Sequence, residues 1–82
     1  MTFVVEITGS CSGSKSFTDL AAAREYYQFS LIGYEFMHDV DTNVRILRYK
    51  NHYCYDIIKQ RLQSGKPPHP SWLAIRGHKN EY

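Results

Sequence analysis

The sequence contains no long hydrophobic run. Its longest apolar stretches are a few residues, far short of the ~20 that a membrane-spanning helix needs. Nor does it show the basic leader and apolar segment of a secretory signal. Both absences point to a chain that works in the cytoplasm, with no membrane partner. Cysteine is scarce, with only Cys11 and Cys54. That excludes a disulfide framework, and in a reducing compartment both thiols are expected to be free. Patterns for catalysis and metal binding are missing too. His52 and Cys54 are two positions apart and His69 and His78 nine apart, which matches no paired Cys/His ligand spacing. No motif ties a histidine base to Cys11. Asp39 and Asp41 sit among turn formers, where aspartate is expected for backbone reasons rather than for acid–base work. The expectation is a non-enzymatic chain with no metal and no cofactor.

What is present is enough apolar material for one core. With 82 residues, 43% hydrophobic and 15% aromatic, the chain reads as a single domain over residues 1–82, ending in a polar tail at about 77–82. The net charge of +2 hides a split. Residues 1–41 set two cations, Lys15 and Arg24, against six acids, a net of −4. Residues 42–82 set eight cations against Asp56 and Glu81, a net of +6. Either the second half meets an acidic partner, or the halves attract each other within the fold.

Patterning along the chain predicts six elements. Thr2 to Thr8 alternates Phe3, Val5 and Ile7 with Val4, Glu6 and Thr8, the mark of a strand covered at least partly on both faces. Gly9 to Ser16 reads as a loop, and Ser16 as the N-cap of a helix running to about Leu31, with Phe17, Leu20, Ala23, Tyr27 and Leu31 on one side and Gly33 as its stop. Tyr34 to Val40 alternates as a second strand, Asp41-Thr42-Asn43 supplies a turn, and Val44 to Lys50 returns as a third. Its imperfect alternation calls for a bulge or an early end to pairing; one helix from Thr42 onward is the competing reading. Asn51 would cap a second helix with Cys54, Ile57, Ile58 and Leu62 on its buried stripe, stopped by Gly65, Pro67 and Pro68. An extended Pro67 to Pro70 and a last strand over Ser71 to Arg76 complete the order. This βαββαβ order resembles the ferredoxin-like fold, an α+β arrangement of a four-stranded antiparallel sheet with two helices on one face, its first and third strands central and its other face open. The resemblance is one of topology and implies no single function.

Two stretches carry candidate binding chemistry. In Val44 to Leu62, Arg45, Arg48, Tyr49, Lys50, Tyr53, Lys59 and Arg61 interleave cations with tyrosines, a composition that neutralises phosphates and stacks bases. The stretch lacks the Gly-aromatic core of RNA-recognition domains, so that family is not assigned. Its cations must be exposed, or matched by acids of the first half. In the loop GSCSGSKS, Gly9, Gly13, Lys15 and Ser16 would lie between a strand and a helix N-terminus, where an anion is favoured. The spacing departs from that of nucleotide phosphate-binding loops, with three residues between the glycines and Ser14 before Lys15.

The functional expectation is a small binding module that engages a nucleic acid, a nucleoprotein or an acidic protein surface through its basic second half. The alternative, resting on small size and missing catalytic motifs, is a protein–protein inhibitor of phage or mobile-element origin that blocks a host defence complex, like an anti-CRISPR protein. A third is a nucleotide or phosphate binder using the Gly9–Ser16 loop.

Overall fold

The structure, a computed structural model, describes residues 1–51 and 54–63, with the backbone alone at Cys54 and Tyr55. Its elements are β1 (Thr2–Thr8), β2 (Gly13–Phe17), α1 (Leu20–Phe36), β3 (Asn43–Lys50) and β4 (Cys54–Arg61). The four strands form one antiparallel sheet in the order β2-β1-β3-β4. The described residues thus form two hairpins joined by a helix, an α+β fold. β1 and β3 are central and adjacent, as the patterning predicted.

Alternation decides what the helix covers. On β1 and β3, Val5 faces Ile46 and Ile7 faces Val44. These four residues are buried together with Ala23, Tyr27 and Leu31 of α1. Phe3, Phe17, Leu20, Tyr26, Tyr34 and Ile58 close the rim. Burying side chains of this size contributes about 1.5–3 kcal/mol each, so this one layer holds the sheet and helix together. The second sheet face was expected to be open. At its centre it is not, because Leu47 is 1% exposed and Arg45 3%.

Four predicted elements are corrected. The Ser/Gly stretch is not a loop leading into a helix: Gly13–Phe17 pairs with β1 as an edge strand, almost wholly exposed. A polar strand of this kind gives no hydrophobic alternation to read. The helix cap is Asp19, whose Oδ1 accepts from the Ala21 amide at 3.2 Å, rather than Ser16. The helix also passes through Gly33 and ends at Phe36, which removes the predicted strand over Tyr34 to Val40. Its true stop is a pair of reverse hydrogen bonds, Asp39 N–H to Tyr34 O at 2.9 Å and His38 N–H to Glu35 O at 3.1 Å. His38 takes the left-handed position (φ 55) usually given to glycine.

The predicted second helix is β4. Asn51 has φ 63 and turns the β3–β4 hairpin instead of capping a helix. The register shifts between Ile46 and Leu47, which face Lys59 and Ile57, so Ile58 is the extra residue of a bulge. Ordinary alternation puts Ile57, opposite Leu47, and Ile58, packed against the core, on different faces; the extra residue brings Lys59 opposite Ile46 on the helix side. The ferredoxin-like βαββαβ order is therefore not what the described residues form. The stop at Gly65, the extended Pro67 to Pro70, the strand over Ser71 to Arg76 and the tail at 77–82 lie outside them.

Candidate functional site

Of the five cations that the sequence groups together, four fall on the helix side of the sheet and only Arg45 falls on the other. Along β3, Arg45 and Tyr49 pair with Glu6 and Thr2 on the face away from α1, whereas Arg48 and Lys50 alternate onto the face with Val44 and Ile46. Lys59 and Arg61 stand opposite Ile46 and Val44, on the helix side. Tyr53 lies outside the described residues.

Acids neutralise three of the five. Arg45 donates to Glu6 Oε1 from Nε at 2.8 Å, and its terminal nitrogen lies 2.7 Å from the same oxygen. Arg48 is paired with Asp56, its cross-strand neighbour. Arg61 is paired with Glu35 on α1. Two of these pairs join the acidic first half to the basic second half, so mutual attraction accounts for part of the charge split. Lys59 lies with Nζ 5.8 Å from the centre of the buried Tyr27 ring, a cation–π contact. Burial pushes the Tyr27 hydroxyl above its ordinary pKa, with nearby Arg61 acting in the opposite direction.

The Gly9–Ser16 stretch does not form an anion cradle before a helix. Gly9 (φ 117) opens the β1–β2 turn, and an added Cβ there would meet the Asp41 carbonyl oxygen at 2.0 Å. Lys15 and Ser16 belong to β2, with Lys15 Nζ 5.1 Å from the Tyr26 ring centre. The helix N-terminus is already held by the Asp19 carboxylate, an anion that disfavours a second one. Cys11 is an exposed free thiol whose backbone N–H donates to Thr42 Oγ1 at 3.3 Å. No three His, Cys, Asp or Glu side chains converge among the described residues, and no helix among them is long and apolar enough to cross a membrane.

The sequence reading missed the outer face of α1. Phe29, Gly33 and Phe36 recur at i, i+4 and i+7, with Ile32 at i+3. They lie on the side of the helix opposite Ala23, Tyr27 and Leu31, which face the core. Phe29 is 73% exposed, Ile32 56%, Phe36 85% and the adjoining Met37 62%. An ordinary amphipathic helix is polar on its outer side; this one is apolar on both. At the N-terminal end of the stripe, Phe17, Ala22, Glu25, Tyr26 and Phe29 line a shallow depression of about 390 Å³. The signal was present in the spacing of Phe29, Ile32 and Phe36. It shows only when the helix is carried past Gly33.

No protein-family model matches the chain, and comparisons with curated proteins and with solved structures found no match.

Proposed function

We propose that the chain is a small, non-enzymatic binding module of the cytoplasm that docks a protein partner through the outer face of α1. One observation carries the reading: three large apolar side chains, Phe29, Ile32 and Phe36, are exposed in one stripe opposite the core. The largest contiguous apolar patch on a domain is often an interaction site. The residues contribute little to the core they face away from, so their chemistry is explained by a second surface rather than by folding. A photo-crosslinking side chain at position 29 or 36 should yield a protein adduct in native cells, and one at Ser14 on the exposed edge strand should not. Absence of any protein adduct at both apolar positions overturns the reading.

A second reading, contact with a nucleic acid or another polyanion, is favoured by the exposed Lys50 and Lys59 and by Arg48, which is 44% exposed although paired, all on the helix-bearing side of the sheet. Oligonucleotide binding that weakens with salt, and weakens further in Lys50→Glu and Lys59→Glu, supports it. Binding that ignores salt, or no binding, removes it.

A further inference from the structure

Resting on the reading of α1 as a docking face, we propose that its occupant is a second copy of this chain, joined by antiparallel pairing of the two α1 helices about a two-fold axis. The stripe carries both the projections and the recesses such a pairing needs. Gly33 lies in the last turn of α1, on its solvent-facing side and between Phe29 and Phe36 along the stripe. A Cβ built there meets nothing within 4 Å, so no close packing inside the monomer requires a glycine. The vacancy it leaves is a notch flanked by Phe29 and Phe36.

With the axis at the level of Leu31, Phe29 of each copy falls over Gly33 of the other, and Phe36 falls beside Tyr26, at the depression lined by Phe17, Ala22, Glu25, Tyr26 and Phe29. Each projection thus has a recess, and each contact occurs twice, as an isologous interface demands. The area fits as well. Taking roughly 200 Å² for a fully exposed phenylalanine, Phe29 and Phe36 with Ile32 and Met37 present about 500 Å² of apolar surface per copy. A standard interface buries about 800 Å² per partner, a little over half of it apolar, or roughly 450 Å².

The test is sedimentation equilibrium of the full chain across the micromolar range. The wild type should approach twice its 9.6 kDa mass. Phe29→Glu and Gly33→Leu should each raise the dissociation constant by about 100-fold, the scale of a central interface residue. Both variants should keep the helical circular dichroism of the wild type, since neither position faces the core. A wild type that stays monomeric throughout, or a dimer that survives both substitutions, overturns the proposal. The adduct at position 29 separates this failure from that of the underlying reading. An adduct with a different protein, from a monomeric wild type, overturns self-pairing and leaves the docking face standing, whereas no protein adduct overturns both.

Discussion

Glu6 and Arg45 are the place where charge and stability can be weighed against each other. Arg45 is 3% exposed while Glu6 retains 31% exposure, so the cation is desolvated far more than its counter-charge. Removing one partner of a buried ion pair typically costs about 3–5 kcal/mol, and the partial hydration of Glu6 lowers that range here. Glu6→Ala takes the carboxylate away from a buried guanidinium and should cost about 2–3 kcal/mol. Glu6→Gln keeps an acceptor at the same place and should cost less, about 1–2 kcal/mol. Total stability for a chain of this size is on the order of 4–12 kcal/mol, so the alanine variant loses a large share of it. Its melting temperature should fall by roughly 10–20 °C. Replacing both residues by apolar ones of similar length, Glu6→Leu with Arg45→Met, should return stability to within about 1 kcal/mol of the wild type. Urea unfolding followed by circular dichroism gives all three values, and adding Glu6→Leu and Arg45→Met singly closes the cycle and gives its coupling energy. A Glu6→Ala loss below about 0.5 kcal/mol, or a double variant as unstable as the single, would refute the reasoning. The same burial means that Arg45→Ser is a stability change before it is a binding change.

Three further outcomes follow from the turns. Asp39 accepts from the Asp41 and Thr42 amides at 2.9 and 3.0 Å and from the Thr42 hydroxyl at 2.7 Å, and the Thr42 hydroxyl bond leads the causes that hold its carboxyl below its ordinary 3.8. Because the folded value is depressed, the stability it contributes is present above 3.8 and is lost as pH falls through the lower folded value. Urea midpoints taken down through that window should drop more steeply for the wild type than for Asp39→Asn; equal slopes would count against the turn. Gly9→Ala should cost about 2–4 kcal/mol, since the added methyl collides with the Asp41 carbonyl at a backbone angle alanine avoids; a melting curve within a degree or two of the wild type would contradict it. Cys11 should react with a thiol reagent at the rate of an open cysteine, and labelling that waits on unfolding would show that its loop is closed.

Legibility followed hydrophobic pattern. β1 and β3 were read correctly because Val5 and Ile7, and Val44 and Ile46, recur at strand spacing on one buried face despite the imperfect alternation of β3, and their central, adjacent placement followed. The helix was found from Leu20, Ala23, Tyr27 and Leu31, but its end was lost: glycine in a solvent-facing turn is tolerated, and the stop depended on His38 adopting a conformation its residue type does not announce. β2 has nothing apolar to alternate except Phe17, and tertiary pairing overrode its loop-like composition. β4 imitated a helix because both of its faces carry an apolar residue, Ile57 beside Leu47 and Ile58 in the core, and the bulge that follows breaks the period-2 pattern. The candidate site suffered from the same error of period. On strands, alternation sends Arg45 and Tyr49 to one face and Arg48, Lys50, Lys59 and Arg61 to the other, which separates the tyrosine from most of the cations.

The order β2-β1-β3-β4 also sets how the chain must find its fold. Each outer strand is joined to its inner neighbour by a short turn, so either hairpin closes locally. Val5 and Ile46, by contrast, lie side by side in the sheet but forty-one positions apart in the chain. No core exists until that gap is closed, and only then do Ala23, Tyr27 and Leu31 have a surface to cover. The loop-closure entropy of this one pairing is therefore the main barrier that separates two isolated hairpins from a domain. Substitutions at Val5 or Ile46 should slow folding, and those at the outer edges of β2 and β4 should chiefly speed unfolding.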